Sequence, residues 1–237
     1  VKAFLLAGGL GERLRPLTLT RPKCLVPING VPLLEIWLDL CAQHGITDVV
    51  VNVSQHPALV SDYLAHRSGP PQVELLIESA PKGTAGTVRD ARAFVGAGED
   101  FWILYSDTLT NANLTALAET HRQHDGIMTM GLFHAPVPTA VGIVECAESG
   151  RILSFTEKPA HPIGDLANAG ICLARTELLA RIPQGPLVDF GLHVFPDLVG
   201  QMFGHVIEDF VLDIGTPAAL AAAETTWATG VPSRRSA

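Results

Sequence analysis

The chain has 237 residues, 47% hydrophobic and 17% charged, with 16 basic against 24 acidic side chains and a net charge of −8. That is enough apolar sequence to bury the core of one large domain. No Lys/Arg run is long enough for a nucleic-acid groove, so any anion bound here is small and met by a few placed cations; no apolar run is long enough to span a bilayer.

In chain order, "KAFLLA" at the start, "DVVVNV" at 48–53, "VELLI" at 73–77 and "FWILYS" at 101–106 read as strands. Their near-continuous apolarity suits a sheet covered on both faces. Helices are predicted between them, at about 32–44, 57–67, 84–95 and 113–124. This order predicts an α/β fold, a Rossmann-like doubly wound mixed sheet. After residue 125 the strands crowd together: "GIMTMGLF", "VGIVEC", "RILSFTE" and "AGICLA". They form a small added β lobe that either extends the sheet or makes a lid. Helices return near 176–181, 190–200 and 216–228. The expected organisation is a single domain over 1–229 with a polar tail, 230–237.

The N-terminus shows no signal-peptide pattern. Cys24, Cys41, Cys146 and Cys172 lack CxxC pairing and have apolar flanks, as buried thiols do in a reducing compartment. A cytoplasmic protein is expected, with neither nucleic acid nor membrane as partner; a homodimer is left open. His121 and His124 in "HRQH" read as a polar helix face, because no acid or cysteine stands at metal-ligand spacing.

The first loop, "LAGGLGERL" at 6–14, puts three glycines in four positions. Gly9-x-Gly11 fits the start of a dinucleotide fingerprint, but the third position falls on Leu14 and no helix follows until about Leu33. No P-loop string occurs. The glycines still let successive backbone N–H groups approach a polyphosphate. Arg13, Arg15 and Lys23 in the same loop favour a phosphate site over a plain turn.

"LAGGLGERLRPLT…RPKCLVPINGVPLLE" resembles the signature of the sugar-1-phosphate nucleotidylyltransferases. "ESAPKGTAG", "YSDT", "VGIVE", "FTEKP", "NAG" and "LDIGTP" follow in that family's order, so the likeness runs along nearly the whole chain. It implies a GT-A-like nucleotidyltransferase fold and Mg²⁺-dependent transfer of a nucleoside monophosphate from an NTP to a sugar 1-phosphate, with release of pyrophosphate. It also implies roles for particular residues. Leu6, Ala7, Gly8 and Gly9 would lie against the base and ribose, joined by Gly83 and Thr84. Gly11 and Arg13 would hold the triphosphate, and Lys23 would sit by the reacting phosphates. Asp107 and Asp213 would carry the metal. Glu157 and Lys158 would hold the sugar hydroxyls and sugar phosphate, with Gly142 and Asn168 as further sugar contacts.

Such chemistry needs no general base, because a phosphate monoester with a second pKa of about 6 is already a dianion near neutral pH. Positioning and charge stabilisation supply the rate. Two carboxylates suit Mg²⁺, which binds oxygen and keeps several waters. Alone, Asp107 or Asp213 reads equally as a strand-end cap, and Lys158 before a proline as an exposed turn.

The pattern departs from the family at Ser106, where glycine is usual, and at Cys24. No β-helix domain follows within these residues, so a single activity is expected. Glu78 falls where relatives read the base edge; a carboxylate suits the N1–H and N2–H₂ of guanine, which tilts the choice to GTP. The short form most resembles enzymes making GDP-linked D-glycero-D-manno-heptose, then GDP-mannose. A non-catalytic nucleotide-sugar-binding homologue and a uridylyl, thymidylyl or cytidylyl enzyme are the alternatives.

Overall fold

The computed structural model describes residues 1–228; the predicted tail, 230–237, lies outside them. β1 (Lys2–Leu6) runs into a long loop carrying 3-10 turns at Glu12–Leu14, Leu17–Leu19 and Lys23–Leu25 and a short ladder, β2 (Pro27–Ile28) with β3 (Val31–Pro32). α1 (Leu33–Gln43), β4 (Asp48–Val53), α2 (Pro57–His66), β5 (Gln72–Ile77), α3 (Thr84–Asp90) and β6 (Phe101–Tyr105) follow. Then come β7 (Thr108–Thr110), α4 (Leu114–Arg122), β8 (Met128–His134), β9 (Gly142–Cys146), β10 (Ile152–Glu157) and β11 (Leu166–Ala174). The described chain closes with α5 (Phe190–His193), β12 (Met202–Val206), β13 (Val211–Asp213) and α6 (Pro217–Ala228).

Nine strands form one mixed sheet in the order β10-β9-β11-β6-β1-β4-β5, with β8 on β11 and β12 on β8. β1 pairs in parallel with both β4 and β6, whereas β11 joins β6 antiparallel. β8 to β12 therefore extend the sheet, whereas β13 pairs with β7 in a separate two-stranded ladder. Along β1 the side chains alternate between two cores. Ala3 and Leu5 pack with Val49, Val51, Trp37 and Leu117 on one face. Phe4 and Leu6 pack with Val50, Ile103, Val88 and Phe190 on the other. Both faces are covered, which is why β1, β4 and β6 read as unbroken apolar runs. Each such side chain contributes about 1.5–3 kcal/mol by leaving water.

Of the late helices, one is of a different type and one is shorter than expected. The segment at 176–181 is a 3-10 helix, stopped by an extended Ile182 before Pro183. The helix expected over 190–200 is α5 alone, followed by a 3-10 turn that starts at Pro196, which has no N–H to continue it. α3 stops at Asp90, and a 3-10 turn occupies Arg92–Phe94. β12 was not expected; it is placed by parallel pairing to β8. All four cysteines are free, but Cys146 is only half-buried. No helix among the described residues is long and apolar enough to cross a membrane.

The expected polar histidine face fails at His121, which is fully buried. Buried Thr129 on β8 needs partners and takes both rings. Gly126 N–H donates to His124 Nδ1 at 3.0 Å, which leaves the His124 proton on Nε2 to bond Thr129 Oγ1 at 2.8 Å. The Thr129 hydroxyl then donates to His121 Nδ1 at 2.8 Å. Burial pushes His121 down to about 4, with Arg175 and His124 acting in the same direction. Burial also lowers His124.

A lowered folded pKa means that the unfolded chain binds the proton more readily. The stabilising effect of neutral His121 is therefore complete above the ordinary value of 6.5 and is lost as pH falls through about 4. Urea midpoints followed across that window should fall by an amount equivalent to a few kcal/mol, at about 1.4 kcal/mol per pKa unit. His121→Gln should flatten the decline; an unchanged slope would show that other groups cause it.

Candidate active-site cleft

The strand order reverses at β1. The chain passes from β1 to β4 and β5 on one side, then returns to β6 on the other. Open α/β sheets bind ligands at such a switch point, beyond the carboxyl ends of the strands. Here the glycine loop leaves β1 and Ser106-Asp107 leaves β6, side by side. Ser106 N–H and Oγ both bond Leu6 O, at 3.1 and 2.9 Å, so the serine that replaces glycine ties the two strand ends together.

Two cavities open at this point, of about 590 and 500 Å³. They share Arg13, Gly83, Tyr105, Asp107, Leu187 and Asp189, and so form one continuous cleft. Leu6, Ala7, Gly8, Gly9 and Gly11 line the first, together with Lys23, Glu78 and Thr84. Gly142, Glu157, Lys158, Asn168 and Asp213 line the second. The residues to which the resemblance assigns roles thus line one cleft, whereas Arg15 lines neither cavity and pairs instead with Glu12 at 3.3 Å.

The first cavity has a buried polar floor. Asn52 projects from apolar β4, and its Oδ1 accepts from Ala7 N–H at 2.8 Å. Its Nδ2 donates to Glu78 Oε2 at 3.0 Å, and Thr87 Oγ1 donates to Glu78 Oε1 at 2.7 Å. Glu78 is 4% exposed, so it is a held carboxylate and not a solvated strand end. Gly8 lies against this floor; a Cβ there would stand 2.5 Å from Asn52 Nδ2.

At the junction, Gly11 takes φ 61, which turns the chain into the 3-10 turn bearing Arg13. Thr18 Oγ1 donates to Gly11 O at 2.7 Å and fixes this turn. Lys23 is buried and extends its Nζ to Asp107 Oδ2 at 3.3 Å and Asp213 Oδ1 at 3.6 Å. Arg13 reaches Asp213 Oδ2 at 3.7 Å. The two acids meet because β13 pairs with β7, setting Asp213 opposite Thr108.

The second cavity is shaped by irregular backbone. β11 shifts register between Asn168 and Cys172, and Asn168 Oδ1 accepts from Gly170 N–H at 2.9 Å. Glu157 pairs across the ladder with Gly142, where a Cβ would stand 2.9 Å from Glu157 Oε2. Gly191 packs on the same oxygen; its Cβ would come within 2.5 Å. Burial raises the Glu157 pKa, opposed by Lys158, whose Nζ lies 3.5 Å from Glu157 Oε1. Lys158 itself holds φ 46, a strained setting for a non-glycine residue. Burial pushes the Tyr105 phenol well above its usual range, with the Asp189 charge adding to the effect.

The chain matches the family described as nucleotidyl transferase over residues 2–229. It belongs to that family. Among similar curated proteins, the mannose-1-phosphate guanylyltransferase of Mycobacterium tuberculosis is 33% identical over 222 residues, 92% of this chain. The mannose-1-phosphate guanylyltransferase catalytic subunit beta of Dictyostelium discoideum is 32% identical over the same share. The chain spans 62% of the length of each of these relatives. Among solved structures, HddC from Yersinia pseudotuberculosis superposes with a TM-score of 0.81 at 22% identity, covering 95% of this chain and 99% of HddC. A putative glucose-1-phosphate thymidylyltransferase from Bacillus anthracis gives 0.80 at 21% identity, covering 95% and 94%. These two share the GT-A-like fold with this member of the family.

Sequence reading missed Asn52, Thr87, Tyr105 and Asp189. A polar residue inside the apolar run "DVVVNV" was the available signal for Asn52. Asn52→Ala would leave Ala7 N–H and Glu78 Oε2 without this partner. Urea unfolding of the ligand-free protein should register a loss of about 2–6 kcal/mol, at about 1–3 kcal/mol for each stranded group. A loss below about 1 kcal/mol would mean that water takes over both bonds.

Proposed function

We propose that this chain transfers GMP from GTP to a manno-configured sugar 1-phosphate, forming a GDP-sugar and pyrophosphate with Mg²⁺. The observation that carries the reading is the charge cluster at the junction of the cavities: Asp107 and Asp213 around buried Lys23, with Arg13 beside them. The first cavity takes the nucleotide and the second the sugar phosphate, so the α-phosphorus and its attacker meet at this cluster.

The donor set fits the metal. Asp213 Oδ1 is buried and accepts no hydrogen bond, with only the Lys23 ammonium near it at 3.6 Å. Among the described residues no group of three or more His, Cys, Asp or Glu side chains stands ready for a metal. Two carboxylates suit an ion that completes its shell with water and phosphate oxygens. Asp107 and Asp213 would hold Mg²⁺, which when bound supplies charge neutralisation for the phosphate oxygens.

The protein's own groups do the rest. Backbone N–H groups of the glycine loop face the triphosphate, and Arg13 supplies a fixed fork of donors. Lys23 places its charge by the reacting phosphates, and Lys158 meets the sugar phosphate. Glu157 and Asn168 accept from sugar hydroxyls. Guanine is favoured because each Glu78 oxygen, already holding one protein donor, retains a lone pair for N1–H or N2–H₂. The names of the relatives support the same pair of substrates.

Pyrophosphate release should be measured with Mg²⁺, each NTP, and mannose 1-phosphate, D-glycero-D-manno-heptose 1-phosphate and glucose 1-phosphate. GTP with a manno sugar should give the highest kcat/KM. No release with any pair would end the proposal; a preference for another NTP would end the guanine assignment. Asp107→Asn keeps a side-chain oxygen beside Lys23 and leaves Asp213 paired with it, so the chain should still fold cooperatively in urea while turnover falls by more than about 100-fold.

A further inference from the structure

The turn Lys82–Thr87 walls the first cavity, yet five hydrogen bonds fasten it to residues 188–190 at the edge of the second. Val188 N–H donates to Lys82 O at 2.8 Å, and Val188 O accepts from Ala85 and Gly86 N–H at 3.0 and 2.9 Å. Thr84 Oγ1–H donates to Asp189 Oδ2 at 2.9 Å and accepts from Phe190 N–H at 2.9 Å. The approach leaves no slack: Gly83 has φ 79, and a Cβ there would lie 2.3 Å from Val188 O.

The other oxygen of Asp189 acts on the second cavity. Its Oδ1 accepts from Gly191 N–H at 2.9 Å and caps α5. That cap sets Gly191 against Glu157 Oε2, so one carboxylate spans from the nucleotide-side turn to the wall behind Glu157. A shift of Thr84 cannot leave the Glu157 wall in place unless the Asp189 bridge breaks.

We propose that Asp189 is a positioning residue that couples the two substrate sites, so that nucleotide and sugar 1-phosphate each bind more tightly when the other is present. This rests on the proposed function. A ligand in the first cavity orders the Lys82–Thr87 turn, Thr84 passes that order through Asp189 to Gly191, and Glu157 is fixed for the sugar. Coupling between sites is reciprocal and commonly amounts to about 5- to 150-fold.

The test uses mannose 1-phosphate titrated calorimetrically into the described chain with Mg²⁺, with and without a GTP analogue whose α,β-bridge is not cleaved. In the wild type the analogue should tighten sugar-phosphate binding at least about five-fold, and the sugar phosphate should tighten the analogue by the same factor. Asp189→Ser keeps an N-cap on α5 but is too short to bridge to Thr84. It should retain the fold while its coupling factor drops below about two-fold. Thr84→Val should lose the coupling likewise, and Thr84→Ser, which keeps the hydroxyl, should retain it. A wild-type factor near one, or full coupling in both Asp189→Ser and Thr84→Val, would overturn the inference. A wild type that releases pyrophosphate but shows no coupling sinks this inference alone; one that turns over no pair sinks the proposed function with it.

Discussion

A buried ammonium held between two carboxylates organises the whole cleft. Lys23 is 8% exposed; a charge so placed costs several kcal/mol unless it is paired. Its partners, Asp107 and Asp213, leave the ends of β6 and β13 and would repel each other without it. The long loop after β1 is the means of delivery. Its 3-10 turns and the β2–β3 ladder carry Lys23 back under the strand ends, where a helix starting at once would have carried it away. Arg13 then balances the second acid, so the ligand-free cluster is near neutrality and the glycine-loop amides stay open to an arriving polyanion.

Where the sequence was readable, one physical signal dominated. β1, β4 and β6 are continuous apolar runs because both faces of the sheet are covered, and their limits fall within a residue or two of those expected. β12 escaped notice because Gly204 and His205 dilute its pattern; its pairing to β8 places it, not its propensity. The helix over 190–200 was overread because apolar spacing carries no information about Pro196 acting as a stop. Within the cleft, residues carried by family strings were legible. Asn52 and Asp189 were not, since each matters through a partner distant in sequence: Asn52 and Ala7 stand 45 residues apart, Thr84 and Asp189 105. His121 was misread for a similar reason, because Thr129, which pulls it inward, lies on the next strand.

The two cavities are built by different means. The first cavity has a rigid floor of hydrogen bonds, with Glu78 held from two directions. The second cavity is shaped by the absence of side chains: Gly142 and Gly191 press on Glu157 from two sides, and Gly170 admits Tyr105 at the β11 irregularity. Under the proposed function, base preference would be set by which donors Glu78 has left to meet, and sugar preference by the space that glycines leave around Glu157.

The ladder between β7 and β13 has a consequence for synthesis of the protein. Thr108 and Asp213, paired in that ladder, are separated by most of the second half of the described chain. A ribosome exposes Lys23 and Asp107 long before Asp213 leaves the exit tunnel. Until β13 docks, the emerging domain has the sheet and the glycine loop but only one of its two junction carboxylates. Completion of the cleft thus waits for β13, and a product terminated before β13 that keeps most of the sheet would still lack the second acid of the cluster.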